Sequence, residues 1–453
     1  MQLRASRYLI FSEGSFRNAD GISVRIACLT STARTYVLDA RIADVLLTGG
    51  AEGLDGPTAD QLLALGLLVP EGADEALDAV RASKRAVRER RVRTFVVMPS
   101  NYCNMACEYC GQEHEKRTIA ARAERLVERV RRAAAAEGTD HLHIGWFGGE
   151  PLMAYDILRR LASAFLDVAA EGNCGYTSKL VTNGSLLSHR KLRDLHLKYG
   201  LTELEVTLDG TRDYHDKSRV LKGGWRSFDR VVSMLGETAA DPDLARLDVT
   251  VRTNVGAANA GMAAEYAAAM AAAGLAGSRI SFYPTVIHTW GNDVTELTVT
   301  KQRYAEIELS WFEEFARAGL NHALLPSTTK PIVCVAVDPS SEVIDAAGGL
   351  FSCTEQPLVP GYEGTRLGNV EILPLEVRRP AGQFDDWHAG VEAGTETPCR
   401  SCRVLPICGG GCPKHWREGT MPCPSYKFNL PGRLDLYGRG LGLRKEGDGA
   451  CAG

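Results

Sequence analysis

Of the thirteen cysteines in this 453-residue chain, ten fall into two groups, and the spacing within each group suits metal ligation. The first is Cys103, Cys107 and Cys110, in the string SNYCNMACEYC. It directly follows an apolar stretch, Thr94 to Met98, that reads as a strand. Clustered thiols in a chain with no export signal point to metal rather than to disulfides, because a reducing compartment keeps thiols free. Each corner of a four-iron cluster takes a thiolate, so a loop with three leaves one iron open to an exchangeable ligand. A structural zinc site is the alternative, and it would need a fourth ligand for which His114 is the close candidate.

The second group is Cys334, Cys353, Cys399, Cys402, Cys408, Cys412 and Cys423. It reads C-x13-G-x4-C, a gap, C-x2-C-x5-C-x3-C, a further gap, and a last cysteine. Paired C-x2-C elements occur in zinc ribbons, but seven thiolates do not divide into four-ligand zinc sites without a remainder. Between the groups, HLHIGWFGGEP has a strand pattern that ends in Gly148, Gly149, Glu150 and Pro151. Two glycines at a strand end let backbone come close to a ligand.

Strand patterns must carry these groups. From Thr94 onward they are HLHIGW, KLVTNG (179–184), ELEVTLDG (203–210), RLDVTVRTNV (246–255) and RISFYPT (279–285), alternating with helix-like segments. That is six strands at parallel-sheet spacing, and ligand groups then belong at the C-terminal strand ends. An apolar fraction of 45%, a charged fraction of 24% and a net charge of -4 are ordinary for a globular protein and give no reason to expect nucleic acid. No uncharged apolar run reaches membrane-spanning length, and the apolar patch in MQLRASRYLIF is too brief for a signal-peptide core. A cytoplasmic protein that contacts no membrane is expected.

The order CNMACEYC then FGGEP resembles the radical S-adenosylmethionine (radical SAM) superfamily, with Tyr109 at its aromatic position. The resemblance implies an α/β fold built on a partial (β/α)6 TIM-type barrel. It also implies that the open iron chelates the amino and carboxylate groups of S-adenosylmethionine, and that one-electron cleavage yields a 5'-deoxyadenosyl radical. Gly148, Gly149 and Glu150 would hold the amino group. Thr207 stands at the ribose-contacting position and Arg219 at that of a cofactor-contacting arginine, whereas His215 is read as a structural loop residue.

The second cysteine array resembles the SPASM domain, which carries two auxiliary four-iron clusters and would bring the total to three. By that resemblance Cys399, Cys402, Cys408 and Cys423 form one complete ligand set. Cys334, Cys353 and Cys412 form the other, with an iron left open, closed by a carboxylate such as Asp345, or taken by a substrate thiolate. Cys28 reads as a strand core residue, and Cys174 and Cys451 as incidental thiols.

Ahead of the barrel, Ile22, Val24, Ile26 and Cys28 alternate with Ser23, Arg25 and Ala27, and Thr35 to Leu38 can pair back on them. Three helix-like segments follow. This order resembles the winged-helix element that captures leader peptides of ribosomally made, modified peptides, and a plain packing domain is the alternative. The expected domains are 1–92 (winged-helix-like α+β), 93–300 (barrel), 301–330 (helical linker), 331–430 (SPASM) and 431–453 (flexible tail).

Together these resemblances imply a maturase that cross-links a precursor peptide and is fed by a reductant such as flavodoxin or ferredoxin. Other enzyme readings are a sulfatase-maturase-like protein oxidase and a small-molecule dehydrogenase. Against the former, Thr354 stands where those relatives carry an Asp after the cysteine aligned with Cys353. A non-catalytic iron–sulfur electron-transfer protein would not need the Gly-Gly-Glu element.

Overall fold

Each of the six segments expected as strands is a strand, the first a continuous apolar run and most of the others alternating apolar with polar residues. The structure, a computed structural model, describes residues 2–372, 378–395 and 397–447, so Cys451 lies outside it. It divides into two units. Arg90–Ala323 with Val335–Asp385 form one; the chain up to Glu89, Leu324–Cys334 and the residues from Asp386 form the other.

In the larger unit, β1 (Val92–Val97), β2 (His141–Trp146), β3 (Gly175–Thr182), β4 (Glu203–Thr207), β5 (Asp248–Val255) and β6 (Ser281–Val286) lie side by side in chain order, all parallel. Successive side chains point to opposite faces. Ile144, Leu180, Val206, Val251 and Phe282 are buried on one face, and the intervening His143, Lys179, Glu205, Arg252 and Tyr283 are polar. Covering helices include α1 (Ala123–Ala134), α2 (Tyr155–Glu171), α3 (His189–Tyr199), α4 (Phe228–Ala240) and α5 (Ala263–Met270).

The segment expected as a linker contains α6 (Lys301–Arg317), whose Trp311 and Phe315 pack with Tyr266 and Phe282 in an aromatic cluster. It is therefore a covering helix of the sheet rather than a spacer. Beyond β1, Ser341–Ile344 adds one more parallel strand and turns back into Gly349–Phe351. Glu342 on the added strand takes two hydrogen bonds from Arg129 of α1, at 2.5 and 3.0 Å, with both side chains 2% exposed. Removing one partner of such a pair costs about 3–5 kcal/mol, because the other charge stays buried.

In the smaller unit, Ser23–Leu29 pairs on one side with Leu9–Phe11 and Phe16–Arg17, and on the other with Arg34–Asp39, all antiparallel. Helices Ala40–Leu47, Gly56–Ala64 and Glu75–Arg88 follow, as the pattern predicts. The expectation of a flexible tail from 431 does not hold as far as Lys445. Tyr426–Gly440 is a helix whose Leu430 and Leu434 share a core with Phe16, Val24, Ile26 and Cys28, and Arg444–Lys445 pairs with Phe16–Arg17. Those leucines sit one helical turn apart. Pro431, several glycines and the buried Arg433 and Asp435 mask the stripe in the sequence. Among the described residues no helix is long and apolar enough to cross a membrane.

Candidate active site

The cysteine loop leaves the C-terminal end of β1, and neighbouring elements tie it down at several points. Asn104 donates to Ser185 Oγ at 2.9 Å and accepts from Asn183 Nδ2 at 2.9 Å. Lys222 Nζ donates to the Cys103 carbonyl at 3.0 Å. The short strand Met105–Cys107 pairs antiparallel with Arg219–Leu221, which sets Arg219 directly opposite Cys107.

Gly148 and Gly149 lie against the start of this loop. A Cβ on Gly148 would stand 2.8 Å from the Ser100 carbonyl oxygen, and one on Gly149 would stand 2.8 Å from the Asn101 and Tyr102 carbonyl oxygens. Gly148 also has φ +122°, which side chains rarely adopt. The Glu150 amide then donates to the Tyr102 carbonyl at 2.9 Å. The close approach that the sequence suggested is thus made, at least in part, to the chain's own cysteine loop. Glu150's carboxylate is fully buried and accepts from Leu152 N, Thr182 Oγ1 and Asn183 N at 2.7–3.0 Å, clasping the ends of β2 and β3. Burial pushes its pKa up, against the pull of these hydrogen bonds.

Tyr109 enters a network that its sequence position did not reveal. Its hydroxyl donates to Asp209 Oδ2 at 2.6 Å and accepts from Arg219 Nη1 and from Asn254 Nδ2. Asp209 is wholly buried just beyond β4 and takes a further bond from the Asn254 amide at 2.7 Å. Its own amide donates to His215 Nδ1 at 3.0 Å, and His215 Nε2 lies 3.0 Å from Ser227 Oγ. Burial drives the His215 pKa well down, and with Nδ1 accepting from the Asp209 amide the residue is a structural clasp, as expected, though it sits in the short helix Arg212–Ser218 rather than in a loop. Thr207, half-buried at the end of β4, lies in register with Arg252 of β5. An acid immediately before a glycine at a strand end was the available signal for Asp209.

Two further groups escaped the sequence. Lys179, Glu205, Arg252 and Tyr283 form a charged layer on the polar face of the sheet, with Lys179 Nζ 2.7 Å from Glu205 Oε2. After β6, Trp290 Nε1 donates to His288 Nε2 at 2.7 Å, and Glu355 Oε1 lies 3.4 Å from the same nitrogen. Asn292 from this loop reaches the Tyr109 carbonyl.

In the smaller unit Cys399, Cys402, Cys408 and Cys423 line one pocket with Trp416 and Lys427, whose Nζ is 3.2 Å from Cys423 Sγ. Cys334 and Cys412 belong to this unit and Cys353 to the larger one. Asp345, considered as a ligand, spends Oδ1 on the Ala347 and Gly349 amides of its own turn.

The donor sets fit iron–sulfur ligation, with three thiols in one loop and four around one pocket. Burial pushes the Cys103 thiol up to about 12 and Cys408 to about 11, and raises Cys107, Cys110 and Cys399 as well. These thiols are neutral when free of metal and would release protons on binding it.

A barrel-type parallel sheet with three clustered thiols beyond its first strand and a Gly-Gly-Glu turn beyond its second is the arrangement of a radical SAM enzyme. Residues 97–238 match the sequence family described as the Radical SAM superfamily, so the chain is an enzyme that carries a radical SAM domain. It is homologous to anaerobic sulfatase-maturating enzymes. It is 25% identical over 345 residues to the serine-type enzyme of Klebsiella pneumoniae, covering 69% of this chain and 79% of that one. With the Klebsiella aerogenes enzyme it shares 24% over 341 residues, 69% of this chain and 77% of that one. The fold resembles native anSMEcpe with bound AdoMet and Cp18Cys peptide, with a TM-score of 0.56 at 15% identity, over 77% of this chain and 99% of that one.

Proposed function

We propose that this enzyme is a cytoplasmic peptide maturase that cross-links a ribosomally made precursor peptide through a thioether, carbon–carbon or carbon–oxygen bond. When bound, a four-iron cluster would supply the electron for reductive cleavage of S-adenosylmethionine to methionine and a 5'-deoxyadenosyl radical, the species that would take a hydrogen atom from the peptide. Cys103, Cys107 and Cys110 would hold that cluster. Gly148, Gly149, Glu150, Thr207, Arg219 and Tyr109 would shape the S-adenosylmethionine site beside it. Cys399, Cys402, Cys408 and Cys423 would hold one auxiliary cluster.

The observation that carries the peptide reading is the N-terminal sheet. Arg34–Asp39 is paired on one side only among the described residues, and Val37 on it is 46% exposed. Such an edge accepts an extended leader peptide through backbone hydrogen bonds. The kinship with serine-type sulfatase-maturating enzymes favours a second reading, oxidation of a Cys or Ser side chain to an aldehyde.

The test is anaerobic reconstitution, then incubation with S-adenosylmethionine, reductant and a candidate precursor peptide, followed by tandem mass spectrometry. A product that resists fragmentation between two residues supports the cross-link. A product that reacts with a hydrazide marks the oxidase. Formation of 5'-deoxyadenosine with the peptide unchanged rejects that peptide as substrate.

A further inference from the structure

Trp225 is 80% exposed, the highest exposure among the large apolar side chains of the described residues. It sits in the loop that leaves Arg219–Leu221, the strand paired with the cysteine loop. The pairing alternates faces. Arg219 and Leu221 stand opposite Cys107 and Met105, and between them Val220 stands opposite Ala106. Val220 is 45% exposed and Ala106 is exposed, so one apolar step of this ladder faces solvent next to a ligand-bearing cysteine. Isolated surface hydrophobics need no explanation, whereas an exposed Trp five residues along the chain from an exposed apolar step, beside the cysteine loop, has the composition of an interface centre.

Along the segment that carries Val220 and Trp225 the charge has one sign. Lys217 to Phe228 contains Lys217, Arg219, Lys222 and Arg226 and no acid, and Lys217, Lys222 and Arg226 are exposed. Neighbouring acids are largely engaged. Asp229 pairs with Arg212, and Asp216 Oδ1 accepts the Ser227 and Phe228 amides. Glu108 and Asp213 remain exposed at the margin. Trp225 is presented by a Gly223-Gly224 turn in which Gly224 has φ +77° and its amide donates to the Leu221 carbonyl.

We propose that Ala106, Val220 and Trp225, ringed by Lys217, Lys222 and Arg226, form the docking surface for an acidic one-electron carrier protein of the flavodoxin type. The proposal deepens the radical SAM reading by naming where the electron enters. The carrier's flavin hydroquinone loses one electron to become the semiquinone, and that electron is the one spent on cleaving S-adenosylmethionine. Cations around an apolar centre steer an acidic partner and make association depend on salt.

The experiment uses the reconstituted full-length enzyme and a bacterial flavodoxin. Its two readouts are the dissociation constant for oxidised flavodoxin at low and high salt, and 5'-deoxyadenosine formation driven by flavodoxin hydroquinone or by dithionite. Trp225→Ala combined with Lys217→Glu and Arg226→Glu is expected to weaken binding at least tenfold and to lower flavodoxin-driven cleavage in parallel. Dithionite-driven cleavage should stay at the wild-type rate. Unchanged flavodoxin affinity in the triple variant overturns the proposal, as does a wild-type enzyme that cleaves with dithionite yet binds no flavodoxin. A wild-type enzyme that cleaves with neither reductant fails at the radical reading instead, and the dithionite arm separates the two failures.

Discussion

Replacing Asp209 with Ala tests whether the buried network holds the cysteine loop. The Asp209 carboxylate is wholly buried, and Arg219, 3.4 Å away, is 6% exposed at its side chain. Without the carboxylate the guanidinium stays buried beside only the Tyr109 hydroxyl, and removal of one partner from such a pair costs about 3–5 kcal/mol. Tyr109→Phe deletes one hydroxyl and leaves partners short of a bond, a smaller loss of roughly 1–3 kcal/mol.

Because both changes break the same hydrogen-bond set, the double variant should cost less than the sum of the singles. Urea unfolding of the metal-free protein measures all three costs. Iron content and affinity for S-adenosylmethionine then report the loop, since Arg219 lies opposite Cys107 and Tyr109 lies next to Cys110. Asp209→Ala should fail to load iron at Cys103, Cys107 and Cys110, whereas Tyr109→Phe should load it. A cost below about 1 kcal/mol for Asp209→Ala, less than loss of an ordinary hydrogen bond to a charged group, would refute the network's role, as would additive costs.

Gly149→Ala drives a Cβ into the Asn101 and Tyr102 carbonyls, so iron per chain after reconstitution should fall by about four, one cluster's worth. Burial holds His143 down at about 4, below its ordinary 6.5. The unfolded chain therefore binds this proton first, and the stability that the neutral ring contributes is complete above pH 6.5 and lost as pH falls towards 4. His143→Gln should flatten the pH dependence of urea stability in that window, and an unchanged slope would count against it. Lys427 places a cation 3.2 Å from Cys423 Sγ. Lys427→Gln should shift the reduction potential of an auxiliary cluster bound there to more negative values in an EPR-monitored titration, while Lys427→Arg should hold it near wild type.

What could be read from the residues in advance follows from the kind of physics that placed them. The six parallel strands were legible because each carries its own local apolar run or alternation, and the cysteine loop and Gly-Gly-Glu turn because each is a local string. Asp209, Asn254 and Asn292 were not, since they lie at or beyond three different strand ends and meet Tyr109 only once the sheet has formed.

The C-terminal helix was misread for a related reason. Its Gly-rich composition has low intrinsic helix propensity, and Leu430 and Leu434 become a stripe only against Phe16, Val24 and Ile26, more than 400 residues earlier in the chain. The consequence reaches the cysteines. Cys402 and Cys408 pack against this same core, which the N-terminal sheet supplies in part. Deleting the N-terminal 89 residues should therefore cost the four-cysteine pocket its support as well as removing the edge proposed to bind a peptide. A truncation that loses auxiliary iron along with peptide binding says nothing about leader recognition by itself. Substitutions confined to the exposed side of Arg34–Asp39, such as Val37→Asp, are the ones that can separate the two.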